Sequence, residues 1–261
     1  MWPATLFLLL LVVAAVSPTL FTAADPLRAD VAASLQPPAP GHPFGTDQSG
    51  RDVFARVLYG ARFSLAIGFG ATIAALIVGV VIGAIAGSTN RIGDSVLSRA
   101  IEVVMAFPEF LLALLVIALI GPGQWSLAIA VAIAVVPAYA RVARVQTLQV
   151  VRSGYVEAAR TLGVGAGVTL LRHVIPNTLG PLLVMATIGV GTAITAAAGL
   201  SFLGLGPQPP TPEWGLILSE GRNFLATAWW IAVFPGLFIT ATVVSTSVAG
   251  RYLQARVEGR A

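Results

Sequence analysis

The residues that most demand a chemical reason are carboxylates in apolar surroundings and a short Glu-Ala-Ala string. Glu109 follows Pro108 inside an apolar run from about Ile101 to Ile120, with Glu102 near its mouth. An ionisable group at membrane depth is expensive, so by default it lines a polar pathway or takes part in proton transfer. The milder alternative has Glu109 facing a bundle interior beside a proline kink, with no part in transport. Glu157-Ala158-Ala159 lies between apolar runs and is followed by Gly163. His42 and His173 are far apart and the chain has no cysteine, which leaves no disulfide, no thiol nucleophile and no metal site. No constellation at catalytic spacing and no G-x-x-x-x-G-K-[ST] phosphate loop occurs, so the chain reads as no enzyme and binds no nucleotide cofactor itself.

The elements that position these residues are apolar helices. Of 261 residues 57% are hydrophobic and 10% charged, against about 25% charged in a soluble domain. Each crossing needs about 20 apolar residues, and six such runs can be read. The first, Thr5 to Phe21, is a transmembrane helix or a signal peptide, and the lack of a basic residue before it favours a retained helix. A polar, proline-rich connection follows. From Asp47 to Arg62 the apolar residues fall at helical spacing, with Asp52 and Arg56 as an expected i,i+4 pair, predicting a short helix along the membrane surface. The second run, Phe63 to Gly87, carries Ala71, Ala75, Gly79, Gly83 and Gly87 four apart. That stripe is a groove in which a second helix can pack closely. The remaining runs are about Ile101 to Ile120, Trp125 to Ala140, Leu179 to Leu203 and Ala228 to Val248, with prolines expected to kink them. The expected fold is therefore all-α and polytopic, with 1–62 as first helix plus amphipathic connection and 63–261 as a five-helix core.

All fifteen basic residues are arginine, and the formal charge is +4. They are dispersed among loops between apolar runs, which argues against nucleic-acid binding. With six crossings, ten arginines fall on one side and five on the other. The positive-inside rule then places the loop 141–177 and both termini in the cytoplasm. In that loop the sequence predicts a helix Tyr155 to Leu162 begun at Ser153-Gly154 and ended by Gly163, then a second helix through His173, broken at Pro176. Such a knob suits insertion into a groove of another protein, or merely caps the bundle.

Glu157-Ala158-Ala159, Gly163 and then Ile175-Pro176 resemble the EAA loop of binding-protein-dependent ABC importer permeases, whose pattern ends in I-x-L-P. His173 and Ile175 stand for the isoleucine and leucine of that pattern, and Arg172-His173-Val174-Ile175-Pro176-Asn177 is similar to the dipeptide, oligopeptide and nickel subfamily. His42 to Asp52 with Tyr59-Gly60-Ala61-Arg62, and Gly199 to Pro207 continuing to Pro212-Glu213-Trp214-Gly215, resemble its C-type permease subunits. The ending Val257-Glu258-Gly259-Arg260 departs from that family.

The resemblance implies a type I importer permease of the bacterial inner membrane. Its implied partners are a second, B-type permease, two ABC ATPases that hold ATP and Mg, an extracytoplasmic binding protein and the bilayer. Tyr155, Glu157, Ala158, Ala159, Arg160, Leu162, Gly163 and Pro176 would couple the chain to the ATPases. Asp52, Pro209, Pro210 and Trp214 are the candidates for receiving the binding protein, and Glu109, Thr192 and Thr195 for lining the path. Peptides, nickel chelates and glutathione-like molecules are all open as cargo. The main rival is a proton-coupled carrier using Glu109. An ion channel lacks a ring of charges, and a membrane enzyme lacks a constellation of ligands.

Overall fold

A computed structural model describes residues 2–257, and within them every side chain but those of Arg160 and Val257. The divergent tail from Glu258 onward, with Arg260, lies outside the described residues. The order is α1 (Trp2–Val16), α2 (Val53–Ser88), α3 (Arg91–Met105), α4 (Glu109–Ile120), α5 (Gln124–Val151), α6 (Gly154–Thr161), α7 (Ala166–Thr169), a π-turn at Leu170–Val174, α8 (Ile175–Phe202), α9 (Trp214–Gly221) and α10 (Trp230–Val257). Among the described residues short 3-10 turns and isolated bridges, and no strands, accompany them. The fold is all-α.

Among the described residues four helices are long and apolar enough to cross a membrane, or five where the bent pair α3 and α4 counts as one span. The apolar α1, fifteen residues long, extends only about 22 Å.

Several expected boundaries move, each for a local reason. The surface helix expected at 47–62 and the second span are one 36-residue helix, α2. No proline or turn residue separates Arg62 from Phe63, so the backbone ladder simply continues. Its amphipathic face packs on protein: Val53 and Val57 are buried with Ile217, Trp230 and Ile231. The third span is not one rod, because α3 and α4 meet at 88°. Pro108 removes an amide and disfavours helix at the residue before it. α5 runs on to Val151, eleven residues past the expected end at Ala140. The second knob helix is likewise continuous with the next span, giving an unbroken 166–202. Pro176 does not break it: the π-turn at Leu170–Val174 shifts the hydrogen-bond register directly before the proline and accommodates its missing amide and its ring within the continuous helix.

The small-residue stripe forms the main seam. A β-carbon on Gly79 would lie 2.4 Å from Tyr139 Cβ, one on Gly83 2.5 Å from the Ala140 carbonyl oxygen, and one on Gly87 2.7 Å from Thr147 Cγ2. Helices α2 and α5 therefore touch backbone to backbone along this line.

Candidate functional site

The tip formed by α6 and the turn after it projects from the bundle. Val156 is fully buried and anchors α6, while Tyr155 is 48% and Leu162 84% exposed. Glu157 and Ala158 are exposed and Ala159 half-buried. The Ser153 carbonyl accepts from the amides of Val156 and Glu157, while its hydroxyl turns back to the Val150 carbonyl. Gly163 has φ +80° with open space beside it, so backbone conformation rather than crowding selects glycine there. The Val164 amide then returns to the Ala159 carbonyl at 3.0 Å. Exposed Leu171, 67% accessible, continues the apolar surface, and Pro176 lies exposed beyond it. Arg160 belongs to α6, but its side chain lies outside the described set. Behind the tip, Arg144 grips Asp94 with two hydrogen bonds, one of them Nη2 to Oδ2 at 2.7 Å, fastening α3 to α5.

At the other end of α8 a buried polar cluster ties the loops to the helices. Arg56, fully buried, donates to Asp47 and, at 2.7 Å, to Glu220. Glu213 caps α9, accepting the Gly215 and Leu216 amides at 2.9 Å, and also accepts from the Ser64 and Ser201 hydroxyls. The expected Asp52–Arg56 pair is replaced. Asp52 caps α2 through the Ala55 amide at 2.7 Å and meets His42 Nδ1 at 2.8 Å. Of the four candidates for an external docking surface, only Pro209 and Pro210 are exposed. Asp52 is buried, and Trp214 is fully enclosed with its indole N–H on the Val57 carbonyl at 2.8 Å. Both belong to the scaffold because their polar groups are spent internally. Sequence reasoning missed Arg56 and Glu220 as partners, since 164 residues separate them.

The three pathway candidates come together. Glu109, Thr192 and Thr195, all exposed on this chain, line one open cavity of about 360 Å³ between α4, α5 and α8, with Phe110, Ala113 and Val131 among its apolar walls. Glu109 opens α4 directly after Pro108, at the 88° bend between α3 and α4. No group of three or more potential metal ligands occurs among the described residues.

Residues 79–259 match the family described as "Binding-protein-dependent transport system inner membrane component". This chain belongs to that family. It is a multi-pass permease component of an inner membrane. It is 44% identical to the dipeptide transport system permease protein DppC of Alkalihalophilus pseudofirmus, over 83% of this chain and 71% of that protein. It is 42% identical to the glutathione transport system permease protein GsiD of Escherichia coli O6:K15:H31, over 82% of this chain and 70% of that one. In fold it is similar to the MetNI methionine ABC transporter solved in inward-facing conformations, with TM-score 0.61 and 18% identity over 77% of this chain and 95% of that one. The permease fold thus sets the tip and the loop after α8 at opposite ends of the same helix, with the cavity between them.

Proposed function

We propose that this chain is the C-type permease subunit of an ATP-driven importer of short peptides. It pairs with a second, B-type permease to enclose the path, receives cargo from an extracytoplasmic binding protein, and is driven by two ABC ATPases that carry ATP and Mg. The observation that carries the coupling assignment is the tip: Val156 holds α6 rigidly while Tyr155, Ala158 and Leu162 stay uncovered beside Glu157. An apolar, small-residue helix face with one carboxylate fits a groove with a cationic or polar partner. Movement of the ATPases would then pass through α6 and α7 into α8, because the chain from 166 to 202 is one unbroken helix. Both termini and the 141–177 region face the cytoplasm in this reading, while Pro209 and Pro210 meet the binding protein. The kinship with dipeptide and glutathione permeases supports peptide cargo over nickel chelates. It gives no support to a proton-coupled carrier.

Two substitutions test the coupling. Glu157→Arg reverses the anchor charge, and Gly163→Val forces a β-branched residue to positive φ, costing about 1–3 kcal/mol locally. Both variants should insert normally yet lose most peptide-stimulated uptake per ATP hydrolysed in proteoliposomes containing all subunits. Wild-type uptake in both would refute the coupling role of the tip. Affinity purification in mild detergent with mass spectrometry should recover a second permease and ATPases carrying phosphate-loop motifs.

A further inference from the structure

The cavity bounded by Glu109, Thr192 and Thr195 has a chemical polarity that its residue types alone do not reveal. Thr192 Oγ1 already donates to the Gly189 carbonyl at 2.9 Å, and Thr195 Oγ1 to the Gly191 carbonyl at 3.0 Å. A hydroxyl has one hydrogen and two lone pairs, so each threonine is left with acceptor capacity only. Glu109 adds a carboxylate that takes part in none of the ion pairs among the described residues. It sits in the first turn of α4, where aligned amide dipoles favour negative charge. The remaining wall, including Phe110, Ala113 and Val131, is apolar.

We propose that this cavity receives the ammonium group of the peptide in transit, with Glu109 as counter-ion and the Thr192 and Thr195 oxygens as acceptors. An ammonium carries three donors and no acceptor, which matches the side-chain oxygens of Glu109, Thr192 and Thr195. An anionic group would meet the like charge of Glu109. The site is therefore a checkpoint for a free amino group, independent of the peptide's side chains. This rests on the peptide-importer reading above.

The test uses the complete complex in proteoliposomes, loaded binding protein outside, and labelled alanyl-alanine as the probe. Glu109→Gln keeps the shape and removes the charge. Uptake should fall about tenfold or more, the loss expected for a hydrogen bond to a charged group, while ATPase stimulation by the loaded binding protein stays near wild type. Glu109→Asp should recover most of the uptake. Wild-type uptake by Glu109→Gln overturns the inference, as does a parallel loss of uptake and ATPase that Glu109→Asp fails to rescue. Should Glu109→Gln not assemble, Thr192→Val/Thr195→Val decides: reduced uptake with intact ATPase supports the site, and unchanged uptake overturns it. A wild-type complex that hydrolyses ATP but moves no dipeptide refutes the peptide reading itself, and the inference with it.

Discussion

Arg56 is a fully buried guanidinium held between Asp47 and Glu220. Each ion taken from water carries a desolvation cost of several kcal/mol that only good geometry offsets. Here Asp47 also accepts the Ser49 amide at 2.7 Å and the Arg51 amide at 3.0 Å, so its remaining lone pairs are satisfied. Arg56→Ala leaves the enclosed Asp47 with only the Arg51 guanidinium, 3.8 Å away, as a cation and takes the partner from Glu220, and should destabilise the chain by about 3–5 kcal/mol. The measurement is thermal unfolding of the complex in detergent, where the variant should melt well below wild type; an unchanged midpoint would show that the cluster contributes nothing. Glu213 depends on two serines from α2 and α8 and two amides of its own helix, so Glu213→Ala should loosen the loop after α8. At this scale the sequence was only half legible. Asp52 and Arg56 are correctly spaced for an i,i+4 pair, yet a residue at the start of a helix gains more by capping an amide. Of the two partners that Arg56 has instead, Asp47 precedes the helix and Glu220 lies on α9, which no local pattern signals.

Helix α2 meets α5 through small residues, its Gly79, Gly83 and Gly87 lying directly against Tyr139, Ala140 and Thr147. The stripe from Ala71 to Gly87 was readable because a spacing of four keeps residues on one helical face, and the short β-carbon distances at Gly79, Gly83 and Gly87 follow from it. Gly83→Val puts three carbons where the first already meets the Ala140 oxygen and Ala143 Cβ at 2.5 Å. Either the helices part or the side chain distorts them, at about 1–3 kcal/mol. The expected outcome is reduced yield of folded protein and faster proteolysis near Ala140, whereas Gly70→Val, with open space around it, should be tolerated. Equal behaviour of the two would remove the stripe as the determinant of packing. Element ends were less legible than element faces. Hydropathy marks where a helix is apolar, while hydrogen bonding decides where it stops, so α2, α5 and the 166–202 helix all extend past their apolar parts. The bend at Pro108 was readable as a proline, but its 88° angle was not.

For the whole molecule, the decisive relation is that one continuous helix links the tip to the loop after it. The tip precedes residue 166 and the proline-rich loop follows residue 202, so 37 helical residues lie between them, a length of about 55 Å. The two surfaces must therefore lie on opposite sides of any bilayer that this helix crosses. The proposed function puts the tip in the cytoplasm, and the absence of cysteine from this chain makes that placement directly measurable. Leu162→Cys and Pro210→Cys place single thiols at exposed positions of the two ends. A membrane-impermeant maleimide should modify Pro210→Cys in intact spheroplasts and Leu162→Cys only in inside-out vesicles. The reverse pattern would invert the topology and detach the tip from cytoplasmic ATPases, and labelling of both from one side would deny the crossing altogether. If the expected pattern holds, α6, the Glu109 cavity and the outer loop lie in order across the bilayer, which is the arrangement needed for a motion begun at one membrane face to control passage toward the other.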